Sequence, residues 1–344
     1  MKPLFETDLK FILEHTRDLW QDLRGERLFI TGGTGFFGCW LLESFSYINR
    51  VLGLKASATI LSRDPQAFLS KMPHLLDRDE LCFLRGDLFN FSFPEGDFPL
   101  IVHAATPSSD RLNREEPLQM FDTVVEGTRR VLEFAGNHGV QKMLLTSSGA
   151  VYGRQPTDLT HIPETYNGGP VSYAENSAYA EGKRAAECLS SIYGRQYGFE
   201  IKIARCFAFV GPHLPLDIHF AIGNFLRDAL AGDPIIIRGD GAPLRSYLYS
   251  ADLMVWLWTI LFNGQSAYPY NVGSPEAVSI KTLAEKVAGV VNPDIKIEVK
   301  QAPDPSRPVE RYIPDTQRAQ TELGLVPWTG LEESVRRTAT WIKG

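Results

Sequence analysis

Short apolar runs alternate with helical stretches along the first 206 residues, and this alternation restricts the fold more than any other feature. Runs such as 28–30 and 100–102 are apolar at every position, so both of their faces must be covered. Runs of this kind that are separated by helices are typical of a parallel sheet with helices on both sides. The sequence therefore predicts an α/β, doubly wound fold. We expect its strands at 27–31, 58–61, 100–104, 142–146 and 200–205, and its helices at 38–47, 117–136 and 177–197.

Two regions flank this alternation. Apolar residues at helical spacing among charges in 8–23 predict an amphipathic surface helix. After Cys206, frequent prolines and glycines around shorter elements predict a smaller C-terminal α/β lobe. We expect residues 1–24 to form an N-terminal helical extension, 25–206 with 246–273 to form the sheet domain, and 207–245 with 274–344 to form a substrate-binding lobe.

Charge and composition exclude several classes of protein. The chain has 35 Lys and Arg residues against 41 Asp and Glu, so it lacks the basic surface of a nucleic-acid-binding protein. Its longest apolar stretch, 253–262, is far shorter than the ~20 residues that cross a bilayer. The acidic residues near the N-terminus do not fit a signal peptide. The four separated cysteines suggest neither a metal site nor a disulfide framework. We expect a soluble, cytoplasmic protein with no membrane or nucleic-acid partner and no metal.

A glycine-rich loop, TGGTGFFG at 31–38, lies between the first strand and the first helix of the sheet domain. Gly32, Gly35 and Gly38 have the spacing G-x-x-G-x-x-G. In such a loop one glycine permits the tight turn, a second lets the backbone approach a pyrophosphate, and the third lets helix and strand pack closely. The N–H groups at the start of the helix then face the phosphates. The loop therefore predicts a dinucleotide site.

A Y-x-x-x-K pair, Tyr179 and Lys183, lies in the helix predicted at 177–197. Residues four apart share one face of a helix, so the ammonium is expected beside the phenol. A nearby cation favours the phenolate, which would let Tyr179 exchange a proton with a substrate hydroxyl near neutral pH.

The segment LLTSSGAVYG at 144–153 ends a predicted strand. With the glycine loop and the Y-x-x-x-K pair, it makes the chain, from about residue 26 onward, resemble the extended short-chain dehydrogenase/reductases. The resemblance is to the NAD(P)-dependent epimerase/dehydratase branch of that family, whose members modify nucleotide sugars on a Rossmann domain. In this family the catalytic Ser or Thr lies five residues before the glycine of V-Y-G, which selects Ser148. The resemblance implies that Tyr179 is the acid/base, that Lys183 lowers its pKa and binds the nicotinamide ribose, and that Ser148 orients the reacting oxygen.

The resemblance also implies where the cofactor lies. Asp87-Leu88 resembles a pair that contacts adenine, and residues 104–106 resemble a segment beside the nicotinamide. At the tip of the second strand, where NAD-dependent members usually carry an acid, this chain has Ser62-Arg63. An arginine there can pair with a 2′-phosphate, so we favour NADP(H), while NAD(H) with Asp64 as the acid remains open. The expected cofactor-binding residues are Gly32, Thr34, Gly35, Phe36, Phe37, Gly38, Arg63, Asp87, Leu88, Ala104, Ala105, Thr106, Tyr179, Lys183 and Cys206.

The C-terminal lobe carries residues that resemble contacts to a nucleotide-diphosphate sugar. Arg245, in GDGAPLRSY, and Arg307 resemble two arginines that bind the diphosphate, and Asn224 resembles an asparagine that meets the phosphates. An arginine presents a fork of donors that suits phosphate oxygens. We therefore expect a nucleotide-sugar partner. We also expect a homodimer through the helices at 117–136 and 177–197, as in family dimers.

The residues after Ser148 bear on the type of reaction. The family's 4,6-dehydratases have Asp-Glu there and its decarboxylases keep a Glu, whereas this chain has Gly149-Ala150. These two residues can neither accept nor donate a proton. We therefore favour reduction of a 4-keto (6-deoxy) hexose over 4-epimerisation with bound NAD, and both over dehydration or decarboxylation. A regulator that senses dinucleotide without chemistry is a further alternative, which the intact Ser148, Tyr179 and Lys183 set disfavours.

Overall fold

The computed structural model describes residues 2–106, 110–218, 220–304 and 306–344. Its centre is a seven-stranded parallel sheet in the order β3-β2-β1-β4-β5-β6-β11. The strands of this sheet are β1 (Arg27–Thr31), β2 (Ser57–Ser62), β3 (Leu81–Arg85), β4 (Leu100–His103), β5 (Lys142–Ser148), β6 (Glu200–Cys206) and β11 (Pro269–Val272). The helices are α1 (Glu6–Thr16), α2 (Phe36–Leu52), α3 (Pro65–Lys71), α4 (Asp110–Glu115), α5 (Pro117–Asn137), α6 (Ala178–Tyr197), α7 (Ala221–Ala231), α8 (Ser250–Asn263), α9 (Ile280–Val291), α10 (Gln317–Leu323) and α11 (Leu331–Lys343).

This sheet confirms the predicted doubly wound α/β class. Its strand order reverses between β1 and β4, and ligands of open α/β sheets bind at such a switch point, beyond the carboxyl ends of the strands. The expected strand at 142–146 continues to Ser148, so that residue is the last of β5. The strand at Leu81–Arg85 is not among the strands expected above, because its pattern is short and half-exposed.

The apolar runs are explained by two separate cores on opposite faces of the sheet. Leu28 and Ile30 pack in one core with α1, α2 and α8, whereas Phe29 between them packs in the other core with α5. Successive side chains of a strand point to opposite faces, so a strand covered on both sides must be apolar throughout. Helix α8 is buried along all of 250–262, which makes it the central helix of the first core.

The N-terminal extension differs from the single helix expected at 8–23. Helix α1 ends at Thr16, and a 3-10 helix follows over Arg17–Leu23. The Thr16 hydroxyl donates to the Ile12 carbonyl (2.6 Å) and accepts from the Trp20 indole (3.0 Å). These side-chain bonds accompany the tighter turn, which buries Trp20 completely.

The C-terminal elements form a second, smaller core. Strands β8 and β13 pair in parallel and pack with α7, α9 and α11. A three-stranded sheet, β12-β9-β14, faces the carboxyl edge of the central sheet and carries residues of the site described below. Helix α10 instead packs against α8 and β11, with Ala319 in the first core. The strands of this region are β7 (Phe209–Val210), β8 (Ile235–Ile237), β9 (Leu244–Arg245), β10 (Leu248–Tyr249), β12 (Val278–Ser279), β13 (Ile297–Val299) and β14 (Arg311–Tyr312).

Within the described ranges, no helix combines the length and the apolarity that crossing a bilayer requires.

Candidate active site

A cavity of about 730 Å³ lies between the carboxyl edge of the central sheet and the smaller lobe. Its floor is formed by the ends of β4, β5 and β6 and by the glycine loop after β1, and its roof by residues of α7, β9 and β14. The predicted residues Ser148, Tyr179 and Lys183 all line it. The cavity therefore occupies the position at which the strand order predicts a ligand.

The glycine loop fits a dinucleotide, and each of its three motif glycines has a different reason for lacking a side chain. Gly32 has a positive φ of 74°, and a Cβ on it would stand 2.5 Å from the Ala104 carbonyl carbon. A Cβ on Gly38 would stand 2.2 Å from the Gly33 carbonyl carbon, so this glycine lets α2 pack on the loop. On Gly35, in contrast, a Cβ would meet only the Gly32 oxygen, at an ordinary 3.6 Å, and Gly35 lines the cavity.

No packing against the described residues thus requires a glycine at position 35, and its open backbone leaves the space that an approaching pyrophosphate would need. Gly35 also caps α2 without a side-chain hydrogen bond, which leaves N–H groups at the helix start to face an anion. Phe36 and Phe37 of the first turn line the cavity, and Phe37 packs edge-on against Phe209 (5.1 Å between ring centroids). Thr34 lies half-buried in the same loop.

Three residues expected on the adenosine side lie at the ends of β2 and β3. Arg63 is exposed and makes no hydrogen bond or ion pair with any other residue that the structure describes. Asp64, the alternative acid, caps α3 by accepting from the Ala67 N–H (3.0 Å). Asp87 accepts from the Phe89 N–H (3.0 Å), and Leu88 packs over Gly127. The Asp64 carboxylate is therefore engaged in its own helix, while the Arg63 guanidinium is available.

The segment after β4 is held by a buried network under the cavity floor. Thr31 of β1 accepts from the Ala105 N–H through its hydroxyl (3.3 Å) and from the Ala104 N–H through its carbonyl (3.1 Å). His103 bonds Thr31 (2.6 Å) and Thr128 (3.0 Å) through its two ring nitrogens. Burial lowers the pKa of His103 to about 3, so the ring is neutral at physiological pH. His103 therefore helps to hold this segment under the cavity floor.

Lys183 is almost fully buried at the base of the cavity. Its ammonium donates to the Thr106 hydroxyl and to the Thr146 carbonyl, both at 2.7 Å. An ammonium has three donors, so one of them is not used by any residue that the structure describes and could bind a ligand. Burial lowers the pKa of Lys183 to about 8, which leaves it mostly charged at neutral pH. Beside it, burial raises the pKa of Cys206 to about 12, so that thiol stays protonated and serves only as a wall of the cavity.

Tyr179 lies one helical turn from Lys183, as the spacing predicts, with the ammonium 6.0 Å from the ring centroid. Its backbone N–H at the start of α6 donates to the Asn113 side chain (2.9 Å). Burial raises the pKa of Tyr179, and hydrogen bonding with Ser148 lowers it to a smaller extent. The net direction is upward, so in the chain itself Tyr179 is a neutral phenol at physiological pH. The expected lowering of this pKa by the Lys183 ammonium is not among the effects that act on Tyr179 in the chain itself.

Tyr312 is a residue of this site that the sequence did not indicate. It reaches the cavity from β14, and burial raises the pKa of its phenol. A Cβ on Gly149 would stand 2.7 Å from the Tyr312 hydroxyl and 2.8 Å from the Phe207 ring. These two aromatic side chains therefore occupy the space that a larger residue after Ser148 would require. No local pattern predicts this, because the contact joins residues more than 160 positions apart.

Of the three residues expected to contact the diphosphate, one lines the cavity and two do not. Arg245 lines the cavity and pairs with Glu310 (2.5 Å). Arg307 does not reach the cavity: its side chain is 83% exposed and pairs with Asp304 (3.2 Å). Arg311, four residues later, lies beside Arg245 in an adjoining surface pocket. Asn224 does not line the cavity, and its oxygen accepts from the Arg227 side chain (3.3 Å).

A parallel sheet with a glycine loop at its switch point and a buried Tyr–Lys pair beside it defines a dinucleotide-dependent enzyme of the Rossmann class. The model of the NAD dependent epimerase/dehydratase family matches residues 28–273, and the chain belongs to this family. It is therefore an enzyme of the nucleotide-sugar-modifying, NAD-dependent type, and the resemblance found in the sequence is confirmed.

Relatives and solved structures of similar sequence or fold agree with this assignment. The chain is 32% identical to UDP-glucuronic acid decarboxylase 3 of Arabidopsis thaliana, over 90% of this chain and 86% of the relative. It is 31% identical to UDP-glucuronic acid decarboxylase 1 of the same plant, over 90% of this chain and 68% of the relative. In fold it is similar to a UDP-N-acetylglucosamine 4-epimerase from Methanobrevibacter ruminantium (TM-score 0.78, 22% identity, 92% of this chain and 98% of the other).

Proposed function

We propose that the protein reduces the 4-keto group of a nucleotide-diphosphate (6-deoxy) hexose with NADPH. The reduced nicotinamide, when bound, supplies the hydride for carbon 4. Tyr179 donates the proton to the carbonyl oxygen, Ser148 orients that oxygen, and the remaining donor of Lys183 holds the cofactor ribose. The observation that carries the proposal is the non-acidic segment Gly149-Ala150 with aromatic side chains packed over it.

Dehydration requires a base for the carbon-5 proton and an acid for the leaving hydroxyl, both beside the sugar. Ala150 faces the cavity where such a group would be needed, and the space beside Gly149 is filled by Tyr312 and Phe207. Among the described residues that line the cavity, Asp110 is the one carboxylate, and it pairs with Arg114 (2.9 Å). The site therefore supports a reaction that needs only one proton donor and a hydride. Gly149-Ala150 also differs from the sequence expected of the family's decarboxylases, which keep a Glu after the catalytic Ser or Thr.

Tyr179 is in the protonation state that a carbonyl reduction requires. Burial raises the pKa of Tyr179, so the protein without cofactor holds a neutral phenol that can donate a proton to a carbonyl oxygen.

Arg245 and Arg311 support a diphosphate substrate. Strand β14 pairs in parallel with β9, with Arg311 opposite Leu244. Arg245 lines the cavity, and both arginines line the surface pocket that adjoins it, where Arg311 donates to the Thr157 carbonyl (2.9 Å). Two guanidinium groups can bind the oxygens of a pyrophosphate, because each presents several N–H donors. We therefore assign the second diphosphate contact to Arg311 in place of Arg307. A homodimer through α5 and α6 and a cytoplasmic location stay predictions.

We expect Arg63→Ala to weaken NADPH binding by roughly ten-fold or more and to leave NADH binding unchanged, because a charge-assisted pair is worth about 1.5–3 kcal/mol. Fluorescence titration of the reduced cofactors measures both constants. Arg50→Ala, which removes the same charge at the far end of α2, serves as the control. Equal affinity of the wild type for NADPH and NADH would refute this role of Arg63.

The proposed reaction is tested by incubating the protein with NADPH and UDP-, dTDP-, GDP- or CDP-linked 4-keto-6-deoxyhexoses. We expect one of them to be reduced with stoichiometric loss of the reduced-nicotinamide absorbance. Interconversion of 4-epimers without net cofactor consumption would establish epimerisation instead. Release of CO₂ from UDP-glucuronic acid, or a 4-keto-6-deoxy product from an unmodified hexose nucleotide, would show that the argument from Gly149-Ala150 is wrong.

A further inference from the structure

Glu187 lies on the face of α6 that carries Tyr179 and Lys183, one helical turn further on. The three residues are spaced four apart, so they share one side of the helix, which packs against β5. Only 12% of the Glu187 side chain is exposed, and the proposed reaction does not use it. Because burying a carboxylate is costly unless it is paired and hydrogen-bonded, its contacts show what this residue holds in place.

Two neighbouring strands of the central sheet meet at the Glu187 carboxylate. Ser147 of β5 and Arg205 of β6 lie opposite each other in the parallel ladder. The Ser147 hydroxyl donates to Glu187 Oε1 (2.5 Å). Arg205 donates through Nε to Oε1 (3.0 Å) and through Nη2 to Oε2 (2.7 Å). The two bonds from the guanidinium fix the orientation of the carboxylate, and the carboxylate in turn fixes the Ser147 side chain.

Arg205 also holds the segment that follows Ser148. Its Nη1 donates to the Tyr152 hydroxyl (2.9 Å), and that hydroxyl donates to the side-chain oxygen of a buried asparagine of β11 (2.7 Å). Tyr152 ends the turn that begins directly after Ser148, and both Tyr152 and Ser147 are almost fully buried. The Glu187–Arg205 pair therefore restrains the chain on both sides of Ser148.

A second contact, one helical turn earlier, completes the attachment of β5 to α6. Lys183 donates to the carbonyl of Thr146, the residue before Ser147, at 2.7 Å. Two consecutive residues of the strand are thus bound by two consecutive turns of the helix. Ser148 is the next residue of the strand, and Tyr179 lies in the preceding turn of the helix. These two contacts therefore determine where Ser148 lies relative to Tyr179.

We propose that Glu187 is a positioning residue, which fixes the end of β5 against α6 and so holds Ser148 in place relative to Tyr179. Arg205 orients the carboxylate for this purpose. Neither Glu187 nor Arg205 is among the described residues that line the cavity, so the pair acts through the chain on either side of Ser148. The inference rests on the proposed function for the roles of Ser148 and Tyr179 and for nothing else.

The test replaces the whole ion pair, because removal of one partner would leave an uncompensated buried charge and destabilise the fold. Apolar replacement of both partners of a buried pair is often neutral or stabilising, so Glu187→Met combined with Arg205→Met should keep a melting temperature close to that of the wild type. We expect kcat on the nucleotide sugar that the protein converts to fall by about 10- to 100-fold with little change in KM, because small misplacements of reacting groups have effects of this size. A folded double variant with the kcat of the wild type would overturn the proposal.

Ser147→Ala is the second variant, because it leaves both charges in place and removes only the bond between β5 and Glu187. We expect a smaller fall in kcat, by roughly 3- to 10-fold, as for the loss of one hydrogen bond. A wild-type kcat in this variant would overturn the proposal even where the double variant does not fold.

The pair of Asp8 and Arg337 provides the matched control. It has a fully buried carboxylate, joins α1 to α11 (2.7 Å), and neither residue is among those that line the cavity. Asp8→Leu combined with Arg337→Met removes the same two charges, so kcat should equal that of the wild type. An equal loss of kcat in this variant would show a general effect of losing an ion pair and would contradict the role of Glu187.

Amide hydrogen exchange provides a measurement that requires no substrate. If the pair restrains the chain around Ser148, the amides of 149–153 should exchange faster in the double variant and in Ser147→Ala than in the wild type. The amides of 27–38, in β1 and the glycine loop, should exchange at the same rate in all three proteins. Unchanged exchange over 149–153 would refute the role of Glu187, whatever reaction the enzyme performs. Faster exchange together with no turnover of keto sugars would support this role and contradict only the proposed function.

Discussion

Tyr179→Phe is expected to lower turnover by about 10²- to 10⁴-fold, the usual contribution of a positioned acid or base. The substitution removes only the transferable proton, because the aromatic ring can keep its place against Ser148 and Lys183. Affinity for the reduced cofactor and the melting temperature should therefore stay close to those of the wild type. Steady-state rates, a cofactor titration and a thermal melt of the same preparation separate these effects.

Tyr197→Phe provides the matched control for this prediction. It removes a phenol hydroxyl from the same helix, α6, but at the exposed opposite end, 18 residues away. At about 1.5 Å per residue this is roughly 27 Å from the site, so its turnover should equal that of the wild type. A Tyr179→Phe variant with a rate within a few-fold of the wild type would exclude Tyr179 as the proton donor.

Gly38→Ala is expected to destabilise the protein and abolish dinucleotide binding. The added methyl group would stand 2.2 Å from the carbonyl carbon of Gly33 and 2.4 Å from the oxygen of Gly32, and neither backbone atom can move without distorting the loop. Overpacking of this kind costs about 1–3 kcal/mol or more. Thermal denaturation with and without cofactor should show a lower melting temperature and no stabilisation by the cofactor.

Gly35→Ala is expected to weaken cofactor binding without destabilising the fold. Here the methyl group meets only the Gly32 oxygen at 3.6 Å, so the melting temperature of the free protein should be unchanged. The group would, however, occupy the space into which a pyrophosphate fits, and the stabilisation by cofactor should fall. Gly289→Ala, in the exposed part of α9 with nothing within 4 Å, is the control for both variants. Normal cofactor binding by Gly35→Ala would contradict the placement of the pyrophosphate.

The sequence predicted best those functional residues whose relative positions are set within one short segment of the chain. The glycine loop and the Tyr179–Lys183 pair are each set by a single strand–helix unit, where spacing alone fixes the geometry. Ser148 was selected through its spacing from V-Y-G in the family resemblance, and the structure places it at the end of β5. The protonation of Tyr179 could not be predicted, because its pKa depends on how deeply the assembled lobes bury it.

The parts that the sequence did not predict depend on pairing between distant segments. The sequence predicted Arg307 as the second diphosphate contact, whereas in the structure its side chain is exposed and pairs with Asp304 outside the cavity. The pairing of β14 with β9 brings in Tyr312. At the N-terminus, Asp8 is fully buried and binds Tyr249 and Arg337, both at 2.7 Å, so the extension joins the last helix to the sheet domain. A helical pattern that predicts a surface helix contains no information about such partners.

The central claim is that hydride from a consumed nicotinamide reaches carbon 4 of a keto sugar, and the fate of a deuterium label tests it most directly. The enzyme would be supplied with a nucleotide-linked 4-keto-6-deoxyhexose and NADPH that carries deuterium at carbon 4 of the ring, on one face and then on the other. The account predicts that one of the two forms yields product with one deuterium at sugar carbon 4 for each NADP⁺ produced. Recovery of the unchanged 4-keto sugar with no NADP⁺ formed, or a reduced product that carries no deuterium at carbon 4 with either labelled form, would contradict it.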